Sequence, residues 1–245
     1  MNFRWQILLG GLLFGLSVAM YLAQIAIFRD GRNTFFYLLQ DLAFLPIQVL
    51  LVTLIISELL NVREKRSLLK KLNMVIGAFF SEVGTELLKS CSEFDPGVER
   101  IRRDLIVTNH WSNKEFAAVR RQLKDYEYRI DIQKSNLEKF QAFLVGKRSF
   151  LLGLLENPNL LEHETFTELL WAVFHLTEEL DFRKDVNQCS EADCAHIASD
   201  IRRAYMALVS EWLSYMMHLK DNYPYLFSLA VRTDPFDPNA SPEIK

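Results

Sequence analysis

Residues 5–28 read WQILLGGLLFGLSVAMYLAQIAIF, and residues 34–57 read TFFYLLQDLAFLPIQVLLVTLIIS. The first stretch is 24 residues without a charge, and in the second Asp41 is the single charged residue. A bilayer core of ~30 Å needs about 20 helical residues, so each stretch is long enough to span one. Between them lies Arg29-Asp30-Gly31-Arg32-Asn33, a run of turn formers. The reading is a hairpin of two transmembrane helices, spans about 5–28 and 34–60, within a segment 1–61. A cleaved signal peptide is the competing reading of the first stretch. Its apolar run is too long for one, and its one small-x-small pattern, Ser17-Val18-Ala19, lies inside the run instead of at its end.

The rest of the chain is chemically different. The first 61 residues carry six charges and the other 184 carry the remaining 53 of 28 Lys+Arg and 31 Asp+Glu. That division excludes a single soluble globule, and a formal charge of −3 argues against nucleic acid as a partner. Arg63, Lys65, Arg66, Lys70 and Lys71 follow the second span, against Arg29 and Arg32 in the link. The positive-inside rule then puts both termini and the large domain in the cytoplasm, with the chain in the cell inner membrane. Three cysteines make no disulfide framework and agree with a reducing compartment.

Gly11, Gly15, Ala19 and Ala23 recur at four-residue steps and form a flat helix-packing stripe on the first span. On the second, Thr34, Asp41, Gln48, Val52, Ile55 and Leu59 fall close to one line at 100° per residue, continued by Arg66 and Lys70. In an oligomer that line would present an acidic ring, an amide ring and an apolar constriction, the parts of a gated cation pathway. Pro46 marks a kink near its midpoint. In the alternative, Asp41 pairs with Arg29 or Arg32, Gln48 bonds to a neighbouring helix, and the pair of spans is a non-conducting anchor.

Beyond residue 61 the apolar positions recur at three and four, and no long alternation at period two appears. Residues 62–222 therefore read as a helical bundle, the whole chain as an all-α membrane protein. Leu68, Leu72, Val75, Phe79, Val83 and Leu87 extend the second span as one helix to about Lys89. Asp95-Pro96 restarts a helix. Ser112-Asn-Lys-Glu115 is a capping box, with Trp111 and Phe116 in the staple positions. Phe116, Val119, Leu123, Tyr126, Ile130, Gln133, Leu137, Phe140 and Leu144 continue as a coiled-coil-like seam. A sister seam runs Ile197, Ile201, Ala204, Leu208, Trp212, Tyr215 and Leu219. The seams and the small-residue stripe call for partners, most simply further copies of the chain, with membrane lipid around them. Residues 223–245 read as a loop and a proline-containing tail without helix.

No chemistry announces itself. Cys189-x4-Cys194-x-His196 resembles a metal pattern, yet Ser190 is a helix cap and the two cysteines fall on its staple positions, where small thiols pack. His175 with Glu178 and Glu179 reads as a solvated face. No His-Glu-x-x-His, phosphate loop or nucleophile elbow occurs, so neither metal, cofactor nor catalytic set is assigned and an enzyme is not expected. The expected function is a homo-oligomeric membrane protein conducting cations through the second span, or, in the alternative, a non-conducting anchored scaffold or signalling adaptor.

Overall fold

A computed structural model describes the backbone of residues 3–158, 160 and 163–243. Side chains 3–6 and 65–71 lie outside that description, Arg66, Leu68 and Lys70 among them. The described residues form helices and connections, with no strand. The contacts divide them into two units, Met1–Lys65 and Arg66–Lys245.

The first unit holds α1 (Phe3–Phe28) and the first part of α2 (Gly31–Phe79). Both are long and apolar enough to cross a membrane, over Ile7–Phe28 and Gly31–Glu64, and their apolar side chains are exposed. Only Arg29 and Asp30 separate them, and Arg29 takes a left-handed backbone, φ 53°. Asp30 caps α2 by accepting the Asn33 amide at 3.1 Å. The helix therefore starts three residues before Thr34. It runs without interruption through Pro46.

The second unit begins in the same helix. α2 passes into a π turn, Phe80–Gly84, and then α3, Thr85–Phe94. An extra residue in that turn puts Phe79, Phe80 and Val83 all in the core. Gly84 is required there: a Cβ would meet the Phe80 ring at 2.6 Å and the Phe79 ring at 2.8 Å. The turn's carbonyl at Phe80 is taken by the Thr85 hydroxyl at 2.8 Å.

Asp95-Pro96 does not start a helix at once. Asp95 is buried and accepts the Gly97 amide and the Tyr126 hydroxyl, so 96–98 form a turn and α4 spans Glu99–Leu105. The capping box opens α5 (Asn113–Lys124), with both reciprocal bonds present and the Trp111 and Phe116 rings 4.9 Å apart.

The long seam is broken after Leu123. Residues 125–131 are not helical, and α6 (Leu137–Leu155) begins afresh behind the Asn136 cap. Here Tyr126, Tyr128 and Ile130 face inward at alternate positions, a short period-two stretch hidden inside a helical pattern. It is pinned by the Tyr126 hydroxyl on buried Asp95 and by the Asp131 amide on the Phe94 carbonyl at 2.9 Å. No coiled coil forms from it.

α7 (Glu164–Asp181) packs against α6 and against α8 (Glu191–Asn222), the central helix. The sister seam lies on α8, and Tyr205, Val209, Leu213 and Met216 are buried beside it. That is wider than a two-strand seam, and the core that covers it is the chain's own. Pro224 then opens a helix, α9 (Pro224–Arg232), instead of ending one. The tail beyond it docks: Phe236 is buried against Trp212 at 5.3 Å, and Asp234 accepts the Val107 and Phe236 amides.

Candidate functional site

Within the first unit, the line of candidate pore residues divides. Thr34 is buried and its hydroxyl donates to the Asp30 carbonyl at 2.9 Å, so it serves the turn. Asp41 accepts the Tyr21 hydroxyl of α1 at 3.2 Å. The partner is a tyrosine of the neighbouring helix instead of Arg29 or Arg32. Gln48, Val52, Ile55 and Leu59 are exposed along α2. Gly11, Gly15, Ala19 and Ala23 are exposed on α1, with open space beside Gly11 and Gly15.

The second unit has a cavity of about 750 Å³, bordered by Gly77, Phe80, Tyr215, His218, Tyr223 and Leu226. Its size and apolar lining suit a small organic ligand. Burial holds the His218 imidazole below its ordinary pKa, and Nε2 is buried without a partner, while Nδ1 lies 3.3 Å from the Asn73 amide nitrogen.

A denser polar constellation sits where α7 and α8 meet. Each helix contributes a histidine and, one turn on, a carboxylate: His175 and Glu179, His196 and Asp200. Asp200 is 2% exposed, while both histidines are about half exposed. Its Oδ2 lies 3.5 Å from His175 Nε2 and 3.4 Å from His196 Nε2. Glu179 lies 3.9 Å from His175 and 3.7 Å from His196. Arg183 braces the cluster from the side. It grips Asp193 with two bonds, at 2.6 and 3.1 Å, and holds Glu179 at 2.7 Å. These bonds keep the Asp193 and Glu179 carboxyls below their usual pKa range, and the two acids raise that of Arg183.

Sequence reasoning had the parts but not the assembly. His175 is on the surface as expected, but it shares a site with His196, and Glu178 turns away to Arg148 at 2.8 Å. The repeated signal was histidine followed by an acid four residues on, once in each of two neighbouring helices. The cysteines are a correction: Cys189 and Cys194 form a disulfide, with Cα atoms 5.6 Å apart. The staple geometry that would pack two thiols also brings them within bonding distance. Cys91 alone is free, and it is buried. Free thiols therefore no longer support a reducing compartment.

A family model described as the C-terminal helical domain of uncharacterized protein MJ1433 matches residues 68–232, and one for the N-terminal helical domain matches residues 1–60. The uncharacterized protein MJ1433 of Methanocaldococcus jannaschii is 47% identical over 234 residues, covering 96% of this chain and 94% of its own length. No solved structure matches. With both helical domains matched and nearly the full length aligned, the chain belongs to the MJ1433 family.

Proposed function

We propose that the protein is a membrane-anchored helical scaffold, two spans holding a cytosolic binding domain at the bilayer surface, without conduction and without catalysis. The observation that carries this is the bond from Tyr21 to Asp41. An ionisable side chain within a span is costly unless it has a partner or water, and Asp41 has a partner inside its own chain. Thr34 is likewise used by the turn, so the polar end of the supposed pore line is engaged before any second copy arrives. The 53 charges beyond residue 61 support a domain in water, and the basic run Arg63–Lys71 supports the cytosolic side, close to anionic headgroups.

Self-association belongs to the same proposal, now on narrower ground. The first seam is broken and the second is covered by the chain's own core, so the exposed stripe Gly11, Gly15, Ala19 and Ala23 is the packing surface offered to a second copy. A cation pathway stays as the second reading, because Gln48, Val52, Ile55 and Leu59 are exposed along one line of α2. Bilayer recording separates the two. The scaffold reading predicts silence from inserted wild type and from Val52→Ser and Ile55→Ser variants. Cation-selective currents whose selectivity weakens in Asp41→Asn would overturn it in favour of the pore.

A further inference from the structure

Asp200 is buried, and neither of its carboxylate oxygens has a hydrogen bond. A buried carboxylate in that condition is expensive, and folded proteins retain one when it pairs with charge or holds a metal. The groups around it are of two kinds. Arg203 Nη1 approaches Oδ1 at 3.3 Å, from an exposed position. His175 and His196 approach Oδ2 at 3.5 and 3.4 Å, one from each of two helices. Those two distances are long for a hydrogen bond between charged partners. They match another geometry. Two ligands each ~2.1 Å from a tetrahedral ion are ~3.4 Å apart.

We propose that His175 Nε2, His196 Nε2 and Asp200 Oδ2 bind one divalent first-row transition-metal ion of the Zn²⁺ type. The three ligand atoms lie within 4.8 Å of one another. Imidazole and carboxylate donors without thiolate suit Zn²⁺ and its first-row neighbours, and exclude a soft monovalent ion. Arg203 faces Oδ1 as an ion pair at 3.3 Å, which leaves Oδ2 as the oxygen turned to the histidines. Glu179 faces the same two Nε2 atoms, Oε1 at 3.9 Å from His175 and Oε2 at 3.7 Å from His196; Arg183 holds Oε2, so Oε1 is the oxygen left to serve as a fourth ligand, with water as the alternative. The half-exposed imidazoles give the ion a path from solvent. Because the ligands come from α7 and α8, the ion ties together the two helices that the 182–190 connection joins. The inference is independent of whether the anchor conducts.

The test uses the full chain in detergent, free of any affinity tag and of reductant, stripped with chelator and titrated with ZnCl₂ by calorimetry. A parallel titration with Co²⁺ reads the visible bands of a four-coordinate site. The expected result is one ion per chain, a four-coordinate Co²⁺ spectrum and a raised melting temperature. His196→Ala, a half-exposed site that leaves the core intact, and Asp200→Asn should each weaken binding about tenfold or more, at least what loss of a partner behind a ligand costs. His110→Ala, and Cys189→Ala with Cys194→Ala, should bind as wild type does. No binding to wild type, binding unaffected by His175→Ala and His196→Ala, or binding lost only in the cysteine variant would each overturn the assignment.

Discussion

Tyr21 on α1 donates its hydroxyl to Asp41 on α2 across 20 residues of sequence, at 3.2 Å. This is the one side-chain bond between the two apolar helices among the described residues. Polar bonds between helices in lipid average about 0.6 kcal/mol, with a maximum near 1.7. Tyr21→Phe and Asp41→Ala, which remove the donor and the acceptor respectively, are therefore each expected to destabilise the detergent-solubilised protein by about 0.5–2 kcal/mol in a denaturing-detergent titration. The double variant should cost little more than either one, because both remove the same bond. Additive losses would mean that the two side chains act separately.

The disulfide between Cys189 and Cys194 closes a short loop at the start of α8. Under chain-entropy reasoning such a loop contributes about 2 kcal/mol. Replacing both cysteines with alanine should lower stability by about that much. Thiol titration of unreduced, denatured protein should find one free group, Cys91, and in the native state that group should be unreactive, since burial pushes its pKa up. Three titratable thiols without reductant would show the bridge to be absent.

Asp234 should make stability fall with rising pH. Burial raises its carboxyl pKa to about 7, against the pull of the Val107 and Phe236 amides. The folded state then holds the proton more tightly than the unfolded state, whose carboxyl loses it near pH ~4. The contribution is fully present below pH ~4 and is lost as pH rises to about 7. Asp234→Asn should lose about 1 kcal/mol in acid, from one acceptor oxygen replaced by a donor, and show a flatter profile between these limits. Equal slopes in both proteins would contradict the assignment.

Gly84 sits against two aromatic rings in the π turn. Gly84→Ala should cost about 1–3 kcal/mol, because the new Cβ would meet the fully buried Phe79 ring at 2.8 Å as well as the Phe80 ring. Gly146→Ala, in open space on α6, is the matched control and should be neutral or slightly stabilising.

The helical character was readable because its signals are local. Turn formers at Asp30 and Gly31, the Ser112–Glu115 box and the inward stripe through Leu72, Phe79, Val83 and Leu87 each declare themselves within a few residues. What misled was a pattern that two structures share. Phe116 to Leu144 keeps helical spacing, but Tyr126 and Tyr128 obey a tertiary demand, the buried Asp95, that spacing does not record. Prolines 224, 235 and 238 suggested a loop and a tail without helix, though Pro224 begins a helix; Phe236 beyond it packs beside Trp212. The α7–α8 cluster left only a repeated spacing, histidine with an acid four residues on, for a related reason. His175 and His196 are 21 residues apart, and only the packing of their helices brings both to Asp200.

The central claim is an anchored domain on one side of a membrane, and labelling of one introduced cysteine per variant in cells, with the native Cys91 buried, tests it most directly. Two exposed positions serve, Arg32 beside the link and Asn239 near the end of the docked tail. Arg32→Cys should react with a membrane-impermeant maleimide on intact cells. Asn239→Cys should react only after permeabilisation, with the protein remaining in the carbonate-washed membrane fraction throughout. Release of the protein by the wash, or labelling of both positions from the same side, would contradict the account.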